Sequence, residues 1–202
     1  MIRRLSCLFF IYSVFVSGLV AGQSEVVVSF AGQQLTAQDI QPDEPTRQAW
    51  QDDPMRAARL NIYRFSKASE FIERQLIKDY AVRHDLSANP AFVESFKAAF
   101  ASDTLTGERL ASLAEFSALQ FAVDKHLYER HGGRVIFDQA HPMMPIEGYF
   151  NVVQQYVAAE QLVINDETIA KMLWQSFARP NAITMQPDQI DYTAPWWNKI
   201  TR

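Results

Sequence analysis

The sequence predicts a mainly α, multi-helical domain that carries a small β hairpin or two-stranded element. Three observations lead there. Apolar residues recur at helical spacing over most of the chain, Asp53-Pro54, Asn89-Pro90 and Asp166 stand where helices would open, and only residues 26–30 and 134–138 form clear β-prone runs.

Arg3 and Arg4 precede an apolar run, and Val20-Ala21-Gly22 supplies small residues before Gln23, so residues 1–22 read as a secretory signal peptide. An amino-terminal membrane anchor is the rival reading, although the apolar run is short for a bilayer span. Cys7, the only cysteine, falls in this leader. The remaining chain of about 180 residues then has no thiol for disulfides, thiolate catalysis or metal ligation, and is long enough to bury a substantial core. The formal charge of -4 gives no support to nucleic-acid binding. A periplasmic or secreted location is expected, with no stable membrane insertion once the signal is cleaved. Residues 23–180 are expected to form one helix-rich domain, with residues 181–202 as an aromatic tail packed on it.

Val26, Val27 and Val28 open the first strand, and Ala31-Gly32 turns the chain toward Leu35 and Thr36. Residues 41–53 are polar and contain Pro42 and Pro45, so they read as a surface connection with Trp50 folded back onto the body. Residues 53–84 are the predicted spine. Asp53 caps, Pro54 takes the first position, and Met55, Ala58, Ile62, Phe65, Ile72, Leu76 and Tyr80 follow at helical spacing. A helix of roughly 30 residues is about 45 Å long, so it either spans the domain or breaks once, at least cost near residues 61–66.

Asn89-Pro90 begins the next helix, with Phe92, Val93, Phe96 and Phe100 on its packing face. Leu110, Leu113, Phe116, Leu119, Val123 and Leu127 continue the pattern to His131, where Gly132 supplies a left-handed end. Residues 134–138 form the second β-prone run, expected to pair with residues 26–30 and close the ends of the domain together. Pro142 and Pro145 frame Met143-Met144, and Pro145 starts a helix to about Glu160. Residues 162–164 are either the buried end of that helix or a third strand. Asp166-Glu167 opens the last helix, Arg179-Pro180 stops it, and Tyr192, Trp196, Trp197 and Ile200 can anchor the tail.

Chemistry is harder to find. Asp124, His126, Glu129, His131, Asp138 and His141 make the densest polar constellation, from which His126, His131, Asp138 and His141 are metal-ligand candidates. His126 and His131 are five positions apart and do not share a helix face, and their spacing fails the zinc-hydrolase patterns. The serines lack a nucleophile elbow, Gly132-Gly133 is a turn rather than a phosphate cradle, and no catalytic residue or cofactor is assigned. A binding surface is the stronger expectation, with Phe65, Phe71, Met143, Met144, Tyr149, Phe150, Trp196 and Trp197 as candidate client contacts.

Val26 to Thr36, reading VVVSFAGQQLT, resembles the opening strand and turn of the chaperone region in the SurA-like periplasmic foldases. Phe71-Ile72-Glu73-Arg74-Gln75-Leu76-Ile77-Lys78-Asp79-Tyr80-Ala81, followed by Leu86-Ser87, resembles that family's helix leading into its next helical segment. The resemblance covers about the first half of the mature chain. It implies a helical cradle that holds unfolded envelope polypeptides by noncovalent binding. Ser29-Phe30-Ala31-Gly32 replaces the family's usual opening, and no parvulin domain follows, so isomerase activity is not implied. The alternatives are a periplasmic hydrolase or metal-dependent enzyme using the region from His126 to His141, and a structural interaction domain of an envelope assembly.

Overall fold

The computed structural model describes residues 24–139, 141–180 and 182–199. The signal-peptide reading, Cys7 and Ile200 lie outside the described residues. Within them the chain is mainly helical with small antiparallel β elements, as the periodicity predicts.

Strands β1 (Val26–Phe30) and β2 (Gln33–Thr36) form a hairpin. Ala31 and Gly32 are both left-handed, with φ of 45° and 86°, which is the turn that suits the twist of a two-residue hairpin loop. Helix α1 (Glu44–Ala49) interrupts the predicted irregular connection; Asp43 accepts from the Thr46 N–H at 3.0 Å, and Pro45 is tolerated in the first turn. Trp50 packs edge-on to Tyr63 with ring centroids 6.0 Å apart.

Helix α2 (Arg56–Arg83) runs unbroken for 28 residues. The polar and β-branched residues near its middle each cost only tenths of a kcal/mol (~0.5), less than surrendering backbone bonds to a kink. Its start differs from expectation. Asp53 accepts from the Met55 N–H at 2.7 Å and pairs with Arg59, so it shapes the turn before the helix rather than capping it. Its amino-terminal half also projects past the core: Met55 is 59% and Ile62 60% exposed, and continuous burial begins only around Ala68. Val82, near its carboxyl end, is exposed as well.

Helices α3 (Pro90–Phe100) and α4 (Gly107–His131) follow. Asn89 caps α3 through the Ala91 N–H, and Gly132 ends α4 at φ 60°. Strand β3 (Ile136–Phe137) leads to α5 (Ile146–Ala158), β4 (Leu162–Ile164), α6 (Glu167–Ala178) and β5 (Ile183–Thr184). Asp166 caps α6 through the Ile169 N–H at 3.0 Å.

The predicted pairing of residues 134–138 with residues 26–30 is not formed. Strand β1 pairs instead with β4, Phe30 opposite Leu162, in the order β2-β1-β4. Strand β3 pairs with β5 and is bridged by Met144, which exchanges two backbone bonds with Ile136 at 2.9 and 3.0 Å. The reason is topological. Helix α5 returns the chain beside β1, where Leu162 enters the same core as Phe30, while β3 lies over the second core with Val135.

That first core gathers Phe30, Ile72, Leu76, Val123, Leu127, Tyr156 and Ile169; the second gathers Phe96, Ala118, Phe121, Val135, Tyr192 and Trp197. The tail is therefore an integral wall of the second core, held also by Tyr192 donating to the Met143 carbonyl at 2.7 Å and by the Trp197 indole donating to Ser95 Oγ at 3.1 Å.

Candidate functional site

Helices α2, α3 and α4 enclose an open groove of about 630 Å³. Its apolar side is Val93, Phe116 and Leu119, and its rim carries Arg74, Lys78 and Lys97 beside Glu94 and Glu115. The Arg74 guanidinium lies 4.9 Å from the Phe116 ring centre and 3.7 Å from Glu70, so an aromatic face and an acid fix it at the groove edge. Lys97 is tied to Glu94 at 2.8 Å. The groove exists because Asn89-Pro90 starts α3 one short joint after α2 ends, leaving the two helices splayed around α4.

None of the eight predicted client contacts lines this groove. Met143, Tyr149 and Trp197 are core residues, 8%, 5% and 4% exposed, so they present no surface to a client in this conformation. Phe65, Phe71 and Met144 are part-buried against the first core, and Trp196 packs on the second. Phe150 faces a separate recess, where it meets Trp174 and Phe177 with centroids 6.1 and 5.6 Å away. Val93, Phe116 and Leu119 were visible in the sequence only as helix-packing residues. Nothing in their spacing separates a covered stripe from an open one.

Three of the four metal candidates have separate partners. His126 Nδ1 meets the Tyr80 hydroxyl at 2.9 Å, Asp138 pairs with Arg179 at 2.8 Å, and His141 Nε2 meets Asp124 at 2.6 Å. His131 has a buried Nε2 without a hydrogen-bond partner. No three His, Cys, Asp or Glu side chains converge to hold a metal among the described residues.

Asp124 instead centres a buried polar knot. One carboxylate oxygen accepts from His141 and the other from Tyr149 at 2.7 Å; Gln120 bridges His141 Nδ1, at 3.3 Å, to Glu73, at 2.8 Å. Burial alone lowers His141, but the charge and hydrogen bond of Asp124, with Glu73 and Asp138, outweigh it and hold the imidazole above its ordinary value. Burial raises Glu73, opposed in part by His141. Burial, then the negative charge of Asp124 and Glu73, pushes the Tyr149 hydroxyl well up. Ser117 lines the adjoining cavity, yet that cavity holds only about 40 Å³, room for a water rather than a substrate. Both nitrogens of His141 are already engaged, which leaves none to take a proton from Ser117. The arrangement is that of a structural pin. Its sequence signal was Asp124 itself, which lies between Phe121 and Tyr128 on the inward arc of α4.

The chain matches no protein-family model, and no curated protein or solved structure gives a significant match.

Proposed function

We propose that this chain is a periplasmic polypeptide-binding, chaperone-like protein that holds unfolded or extended clients noncovalently. The observation that carries this reading is the open groove between α2, α3 and α4, with an apolar floor and charges of both signs on its rim. A floor of Val93, Phe116 and Leu119 accepts a short apolar run, and a mixed rim tolerates many flanking sequences while keeping the complex soluble. Low selectivity of that kind suits unfolded clients. The resemblance of residues 26–36 and 71–87 to the SurA-like foldases points the same way, and the leader-like first segment supports delivery to the envelope.

The test is suppression of aggregation of several unfolded envelope proteins, comparing the wild type with Ser112→Trp. Ser112 is exposed and lines the groove, so the indole fills the cleft without entering the core. Protection is expected to fall several-fold with circular dichroism and melting unchanged. A wild type that protects no client, or a variant that protects fully, overturns the reading.

A further inference from the structure

A second recess of about 330 Å³ lies where α2, α4 and α5 end together, lined by Arg83, His84, Arg130 and His131 with Gln155 and Gln161 among others. Its lining contains no carboxylate, on a chain whose formal charge is -4. Asp79, one turn before Arg83, is already engaged, pairing with Arg83 at 2.5 Å and accepting from the Tyr156 hydroxyl at 2.5 Å.

Helix carboxyl ends attract cations, which accounts for basic residues in the last turns of α2 and α4. Several of the terminal carbonyls already have backbone donors. Tyr80 O accepts from the His84 N–H, Ala81 O from Leu86, Tyr128 O from Gly132 and Tyr156 O from Gln161. Nor does a helix dipole satisfy His131, whose Nε2 is hidden from water without a protein partner. Burial, followed by the cations around them, holds both recess imidazoles below their ordinary value: His126, Arg130 and Arg83 act on His84, against Asp85, while Arg130 and His126 act on His131. The recess thus gathers two guanidiniums, that of Arg83 shared with Asp79, beside two imidazoles and two glutamine side chains.

We propose that this recess binds an oxyanion of the phosphate class, free or as the head of a larger molecule. A guanidinium presents paired N–H donors that match two oxygens of a tetrahedral anion, and Arg83 and Arg130 supply that geometry from two helices. His84 and His131 set two imidazole rings against the same space. The volume exceeds that of the anion alone and leaves room for an organic group attached to it.

The full chain is titrated with sodium phosphate, with a phosphomonoester such as glycerol phosphate, and with phosphatidylcholine vesicles with and without phosphatidylglycerol, against sodium chloride at matched ionic strength. Saturable phosphate binding is expected, with shifts of the His84 and His131 ring signals. Arg130→Gln, an exposed position, is expected to weaken it ten-fold or more while leaving circular dichroism and melting in chloride unchanged. Arg130-dependent binding to phosphatidylglycerol vesicles identifies a lipid headgroup as the source, and binding confined to the soluble phosphates identifies a free ligand. Phosphate effects no greater than those of chloride, equal binding by the variant, or unmoved ring signals overturn the proposal.

Discussion

Asp124 is 4% exposed, and each oxygen of its carboxylate has one strong donor, His141 on one side and Tyr149 on the other. Removing one donor leaves a buried charge short of a partner. Tyr149→Phe keeps the ring and deletes the hydroxyl, so an expected loss of about 1–3 kcal/mol in denaturant unfolding isolates that bond. Deleting the imidazole partner of the charge costs more: His141→Leu is expected to lose about 3–5 kcal/mol. The imidazoles also divide the pH axis. His141 is held above its ordinary value of 6.5, so its contribution is complete below 6.5 and is lost as pH rises through the folded value. His84 and His131 are held below 6.5, so their neutral forms are favoured by folding and stability falls as pH drops from 6.5 toward their folded values. Melting temperature against pH is therefore expected to decline on both sides of that value. His141→Gln removes the alkaline decline, and His84→Gln with His131→Gln removes part of the acid one; unchanged slopes in these variants contradict the assignment. The sequence announced His126, His131, Asp138 and His141 as a cluster because they are near in the chain, yet side-chain direction, not proximity, sent His126, Asp138 and His141 to three different partners and left the His131 Nε2 without one.

Helix boundaries were legible at the scale of elements because capping is local chemistry. Asn89 and Asp166 accept from N–H groups two and three residues ahead, so the signal and the bond lie within one turn. Strand pairing was not legible: β1 finds β4 across more than half the chain, and strands of two to five residues carry too little pattern to name a partner. The groove was equally hidden, since the same apolar spacing builds a core or a floor. Where two elements approach closely, backbone geometry gives sharper expectations. Gly148 lets α5 approach α4: an added Cβ would sit 3.1 Å from the Leu127 Cβ and 3.3 Å from its carbonyl oxygen. Gly148→Val is expected to cost about 1–3 kcal/mol by forcing the helices apart, measured as a lower denaturation midpoint with unchanged slope. At the hairpin, Ala31 holds φ 45° where a side chain pays a steric penalty, and Ala31→Asn is expected to stabilise by about 1 kcal/mol because asparagine tolerates that region.

Across the whole molecule, α4 is the shared beam. Val123 and Leu127 enter the core under the sheet, while Ala114, Ala118 and Phe121 enter the core closed by α3 and the tail. The tail contributes large aromatics to the second core alone: Trp197 packs edge-on to Phe96 and Phe121 at 5.3 and 6.1 Å, and Tyr192 lies 5.4 Å from Tyr128. Its loss should be felt unequally. Trp197→Ala is expected to cost about 3–5 kcal/mol, the range for truncating a buried aromatic, and to leave Ser95 Oγ without its indole donor. Hydrogen exchange then separates local from global effects. Amides of α3 and the amino-terminal half of α4 are expected to lose protection first, while β1, β4 and the carboxyl-terminal half of α2 retain theirs, because Phe30, Leu76 and Leu162 make their contacts in the other core. Uniform loss across both cores would show that α4 transmits the damage along its length and that the two clusters unfold as one unit.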